Sequence, residues 1–191
     1  MKNYIPKHHH RKSIRLKEYD YSNPNWYYLT ICTYDKRNIL GKIINGKMNL
    51  NNCGKIVEEE WLKTKEIRQN IDLDYYIIMP NHLHGIIIIE RRGELHSSQM
   101  NSKQKNNDGR IQYAPTNNKL KSPSQTVGAI VRGFKSSVTK RIREFNQKED
   151  EKVWQRNYYE HIIRNEKDLY RIRNYIQNNP LKWELDEYFS N

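Results

Sequence analysis

The tripeptide His82-Leu83-His84 carries the clearest chemical potential in this chain. It lies between two apolar runs, Tyr75 to Met79 and Gly85 to Ile89, and residues two apart in a strand project to one side. Two neutral imidazoles converging from a strand form part of a divalent-metal site. Alone, such a pair more commonly reflects packed, hydrogen-bonded core histidines. Further groups must therefore come from elsewhere in the sequence.

A late amphipathic segment supplies them. Asn165 is a good N-cap, Glu166 and Asp168 complement a helix dipole, and Pro180 should end the helix, which predicts Glu166 to Asn179. Leu169, Ile172 and Ile176 form its apolar stripe. Tyr175 and Asn179, four residues apart, share a face at the border of that stripe. A phenol and an amide oxygen would then meet two imidazoles. A phosphodiester repels nucleophiles by its charge, and Mg²⁺ or Mn²⁺ held by His82, His84 and Asn179 would keep positions open for phosphate oxygens. A free tyrosine, with a pKa of about 10, is a poor nucleophile until a nearby cation lowers that value. Its attack on phosphorus gives a covalent phosphotyrosine. Tyr158, Tyr159 and Tyr170 compete for the role, but the first two fall in an extended segment beside Trp154, where packing or base stacking explains them.

The elements that must position these groups follow from pattern. Trp26 to Thr33 is aromatic and β-branched and predicts a strand. Ile39 to Ile44 and Lys47 to Leu50 flank Asn45-Gly46, a tight-hairpin signal. Asn52 to about Gln69 has helical periodicity, and Asp72 to Met79 and His82 to Glu90 predict two more strands, separated by Pro80-Asn81. Asn81 is read as shaping that turn. The near-continuous hydrophobicity of the two strands implies cover on both faces or a central place in the sheet. Ser124 to about Phe145 is helical, with Val127, Ile130, Val131, Phe134, Val138 and Ile142 as its stripe, and Val153 to Ile163 reads as extended. The stretch from about 96 to 122 collapses to Ser, Asn, Lys and Gln and reads as a flexible insertion within a single domain spanning 1–191. The expected fold class is α+β, with helices packed on a mainly antiparallel sheet.

Composition narrows the function. Thirty-four Lys and Arg against 22 Asp and Glu leave a formal charge of +12, and polyanions are the natural partners of such an excess. Fourteen tyrosines and four tryptophans offer faces on which unpaired bases stack. Arg132 and Lys135 lie mainly off the helical stripe and could meet phosphates, although a solvated helix face is the more frequent explanation of such charges. Cys32 and Cys53 are the only cysteines and form no C-x-x-C, which excludes a disulfide framework and a cysteine-built zinc site. The basic start lacks an apolar core, and no run is long enough to span a bilayer. The expectation is a cytoplasmic protein without membrane association.

Several motifs occur in order along nearly the whole chain: His9-His10-Arg11-Lys12-Ser13-Ile14-Arg15-Leu16 with Tyr19-Asp20-Tyr21; Tyr28-Leu29-Thr30-Ile31-Cys32-Thr33; and Met79-Pro80-Asn81-His82-Leu83-His84. Gly133-Phe134-Lys135-Ser136, Trp154-Gln155-Arg156-Asn157-Tyr158-Tyr159-Glu160-His161 and Tyr175-Ile176-Gln177-Asn178-Asn179-Pro180 follow. By these motifs the sequence resembles the REP-associated tyrosine transposases, relatives of the single-tyrosine insertion-sequence transposases within the His-hydrophobic-His (HUH) endonucleases. The resemblance implies a ferredoxin-like or RRM-like fold of the HUH type, His82 and His84 as metal ligands on a central strand, and Tyr175 as nucleophile. It places Asn179 where the single-tyrosine enzymes carry a metal-binding Gln. It also implies cleavage of single-stranded DNA beside an imperfect hairpin through a 5′-phosphotyrosine, in a bacterial cell and at the nucleoid during action. Arg11, Lys12, Arg15, Arg132, Lys135 and Arg156 are the expected DNA contacts. Chemistry at two strand ends would call for two active sites, hence a homodimer during action. Two rival readings are a hairpin-binding or regulatory protein on the same fold without cleavage, and an RNA-binding module.

Overall fold

The computed structural model describes residues 19–90 and 126–189. The expected contacts Arg11, Lys12 and Arg15, the insertion at 96–122 and the expected helix start at Ser124 lie outside the described residues. The elements are β1 (Asn25–Cys32), β2 (Gly41–Ile44), β3 (Lys47–Leu50), α1 (Asn52–Ile67), β4 (Ile71–Met79), β5 (His82–Ile89), α2 (Val127–Asn146), β6 (Tyr159–Ile163) and α3 (Glu166–Asn178). A short 3₁₀ turn spans Tyr34–Lys36, and a longer 3₁₀ segment, Asn179–Leu185, follows α3.

Four strands form an antiparallel sheet in the order β4-β5-β1-β6. With α1 and α2 in their chain positions, β1-α1-β4-β5-α2-β6 is the ferredoxin-like βαββαβ unit, as the family resemblance implied. The β2-β3 hairpin turns at Asn45 and Gly46, whose φ values of 51° and 69° are the positive pair that a tight hairpin requires.

Alternation along the central strands divides the molecule into two faces. Tyr27, Leu29 and Ile31 of β1 and Leu83 and Ile87 of β5 join α1 and α2 in one large apolar core. Trp61 of α1 lies so close to β5 that a Cβ on Gly85 would stand 2.4 Å from its ring, so only glycine fits there. The residues of opposite parity, Tyr28 and Ile86, meet Ile163, Ile172 and Ile176 under α3 in a smaller cluster. The hydrophobic reading of β5 is thereby explained, because helices cover both of its faces.

Long-range contacts fix α3 in place. The Asn165 side chain caps it at the Asp168 amide (2.8 Å). Arg173 donates to both Asp74 oxygens on β4 (2.8 and 2.9 Å) and lies over the rings of Trp26 and Tyr75 (5.5 and 5.1 Å). Planar guanidinium geometry suits both the bidentate carboxylate and the aromatic faces.

Two expectations shift. The extended segment from Val153 is a strand only over Tyr159–Ile163, Trp154 making an isolated bridge to Thr33. The chain also remains helical past Pro180, in the tighter 3₁₀ form. Proline is tolerated in a first turn, where its missing N–H has no partner to lose.

Candidate functional site

His82 and His84 open β5 with side chains fully buried on the α3 face. Their Nε2 atoms converge to 2.9 Å. Their outer nitrogens are both held. Asn81, itself buried, gives its amide N–H groups to the carbonyls of Lys36 (3.0 Å) and Tyr188 (2.7 Å), which fixes the orientation of its oxygen. That oxygen faces His82 Nδ1 at 2.8 Å, so Nδ1 carries the proton and a neutral His82 presents a bare Nε2. His84 Nδ1 meets the hydroxyls of Tyr28 (2.8 Å) and Thr30 (2.9 Å), each able to donate or accept, so this ring can adopt either tautomer. Outer hydrogen bonds that orient an imidazole and free its second nitrogen are the usual support of a metal ligand.

Burial, with Lys36 adding to it, holds the His82 pKa down at about 3, and burial with His82 alongside holds His84 well below the ordinary range. Both rings are therefore neutral near pH 7, the form that binds metal.

Tyr175 comes to this pair from α3, as the spacing predicted: its hydroxyl is 3.4 Å from His84 Nε2 and its ring centroid 5.1 Å from that of His84. The same hydroxyl donates to Asp186 Oδ2 at 3.3 Å. Asn179, buried at the start of the 3₁₀ segment, donates its amide to that oxygen at 2.7 Å, while its own Oδ1 is buried without a partner. Burial first, and then the Asp186 carboxylate, raise the Tyr175 pKa above its ordinary value, so the phenol is held protonated with a carboxylate ready to take its proton.

Asp186 is the residue that the sequence reading missed. His82, His84 and Asp186 can offer ligand atoms that all lie within 4.8 Å of one another, and two imidazoles with one carboxylate form a recurrent divalent-metal set. The donors fit a cation: two bare or readily bared nitrogens, a carboxylate, and the orphaned oxygen of Asn179 next to it. Its only sequence signal is an acidic side chain shortly after Pro180. Tyr188 was also missed; its ring packs 4.8 Å from His82 and 5.9 Å from His84.

The expected DNA contacts among the described residues do not gather at this site. Arg132 is exposed on α2, the helix on the opposite face of the sheet from α3, and Arg156 is exposed in the segment before β6. Lys135 donates to the carbonyls of Gln155 and Asn157, both at 2.9 Å, and burial lowers its pKa to about 8. His161 is paired with Asp168 at 2.7 Å. Among the described residues, no helix is long and apolar enough to cross a membrane.

No protein-family model matches the chain. A solved structure of a REP-associated tyrosine transposase bound to a REP hairpin aligns with 87% of this chain and 74% of its own, with a TM-score of 0.55 and 19% identity, a likeness of fold. An uncharacterized protein of Haemophilus influenzae is 44% identical over 183 residues, 95% of this chain and 94% of that protein. The chain belongs to one family with the Haemophilus influenzae protein, and it shares its α+β fold with a REP-associated tyrosine transposase.

Proposed function

We propose that the protein is a metal-dependent, single-stranded DNA endonuclease and strand transferase of the transposase type, acting at hairpin or REP-like sequences through a 5′-phosphotyrosine. The observation that carries this reading is the Tyr175 hydroxyl 3.4 Å from a buried, neutral imidazole pair. The likeness of fold to a transposase bound to a hairpin supports it. His82 and His84 would hold Mg²⁺ or Mn²⁺, with Asp186 and the Asn179 oxygen as the nearby further donors. When bound, the ion offsets charge on the phosphate and favours the ionised phenol.

The residues of the chain account for the rest. Tyr175 Oη attacks phosphorus, Asp186 accepts the phenolic proton, and the bond to the 3′-oxygen breaks, leaving a free 3′-hydroxyl after protonation from solvent. The reverse reaction, attack of a 3′-hydroxyl on the phosphotyrosine, rejoins strands. His84 keeps its orientation from Tyr28 and Thr30, and His82 from Asn81.

Incubating a labelled hairpin oligonucleotide with the protein and Mn²⁺ tests the reading. The expected product is a nick with a polymerase-extendable 3′-end and a blocked 5′-end, lost with chelator and in His84→Ala. Tight hairpin binding without any nick would instead support the binding-only reading.

A further inference from the structure

The cleft beside Tyr175, about 630 Å³, is larger than a reaction at one phosphorus atom requires. It lies at the edge of the sheet, since β6 is the terminal strand among the described residues. Arg171 and Asn178 of α3 line one side, Tyr159 and His161 of β6 the other, and Tyr28 lies between them and the catalytic tyrosine. Tyr159 is 43% exposed and held edge-on to Tyr28 at 6.1 Å, leaving an immobilised aromatic surface open. Asp168 anchors two side chains together, bonding His161 at 2.7 Å and Arg171 at 2.7 Å. The Arg171 side chain is 71% exposed, and this single bond leaves most of its N–H donors available. Arg171 and Tyr175 are one helical turn apart, about 6 Å along the axis, which is the scale of one nucleotide step in an extended strand.

Resting on the reading of Tyr175 as nucleophile, we propose that this cleft is a mononucleotide subsite for single-stranded DNA. The nucleotide next to the cleaved phosphate stacks its base on Tyr159, and its distal phosphate meets Arg171. A stacking surface and a phosphate-binding fork one step apart are the parts from which sequence-tolerant single-strand sites are built.

Equilibrium binding of the intact protein in chelator, where no cleavage interferes, tests the subsite by fluorescence anisotropy. The probes are hairpin oligonucleotides whose 5′ or 3′ single-stranded overhang is lengthened one nucleotide at a time. In one of the two series, the nucleotide that reaches the cleft should tighten binding about tenfold, the scale of one stacked base. That gain should shrink in Tyr159→Ala and in Arg171→Ala, each removing its own part, and persist in full in Tyr170→Ala, whose ring is 69% exposed on α3 outside the cleft. An abasic residue at that step should retain the Arg171-dependent part of the gain alone. Absence of the gain in both series, or a gain undiminished in either cleft variant, overturns the subsite. Because the readout needs no chemistry, a catalytic failure of Tyr175 leaves it readable, and the two readings fail separately.

Discussion

The two faces of the sheet are built from the same strands and do opposite work. Toward α1 and α2, β1 sends Tyr27, Leu29 and Ile31 into a large apolar core; toward α3, the residues between them, Tyr28 and Thr30, hydrogen-bond His84. On β5, Leu83 and Gly85 pack against the helices while His82 and His84 turn the other way. Stability is concentrated on one face, and the other is free to carry buried polar groups that an apolar core alone would not tolerate. Neighbouring substitutions on one strand should therefore separate folding from chemistry.

Acid should expose the difference most. His82 is held neutral to about pH 3 in the folded chain, and His84 is also depressed, whereas an unfolded His titrates at about 6.5. Between these values the unfolded state binds more protons, so stability from the pair is fully present above about pH 6.5 and is lost as pH falls toward 3. Thermal melts in chelator should show the melting temperature dropping from about pH 6.5 to 4.5, above the usual carboxylate range. The double variant His82→Gln/His84→Gln should flatten that slope, and an unchanged slope would mean that the pair does not set it.

Next in size is Leu29→Ala, on the apolar face. Removing this fully buried side chain should cost about 2–5 kcal/mol by denaturant unfolding, with Mn²⁺ affinity of the folded fraction unchanged. Its neighbours invert the outcome: Tyr28→Phe with Thr30→Val removes both partners of His84 Nδ1 and should weaken Mn²⁺ binding about ten- to a hundredfold by calorimetry. If Leu29→Ala weakened metal binding as much as that pair, the division of labour between the faces would be wrong. A smaller effect is expected where α3 is tied down. Asp74→Ala strips the carboxylate from Arg173 and should cost about 1–2 kcal/mol, seen as faster amide exchange in α3 than in α1.

The elements that local periodicity governs were the legible ones. Alternation placed both histidines on one side of β5, and the four-residue step from Tyr175 to Asn179 put the phenol and amide on one helical border. Asp186 and Tyr188 lie beyond Pro180, just after a 3₁₀ stretch, where neither period applies and position comes from tertiary contacts. The role of Asn81 was hidden for the same reason: its carbonyl partners stand 45 and 107 residues away. Charge pattern marked Arg132 and Lys135 as off the apolar stripe, but not that one would lie across the sheet from α3 and the other turn inward to two carbonyls.

The account rests on the chemistry of one phenol beside two imidazoles. Mixing the protein with Mn²⁺ and a single-stranded hairpin substrate, separating products on a denaturing gel and mapping the modified peptide by mass spectrometry addresses it directly. The predicted result is a covalent DNA adduct on Tyr175, absent in Tyr175→Phe and retained in Tyr159→Phe and Tyr170→Phe. An adduct that persists in Tyr175→Phe, or maps to another residue, would contradict it.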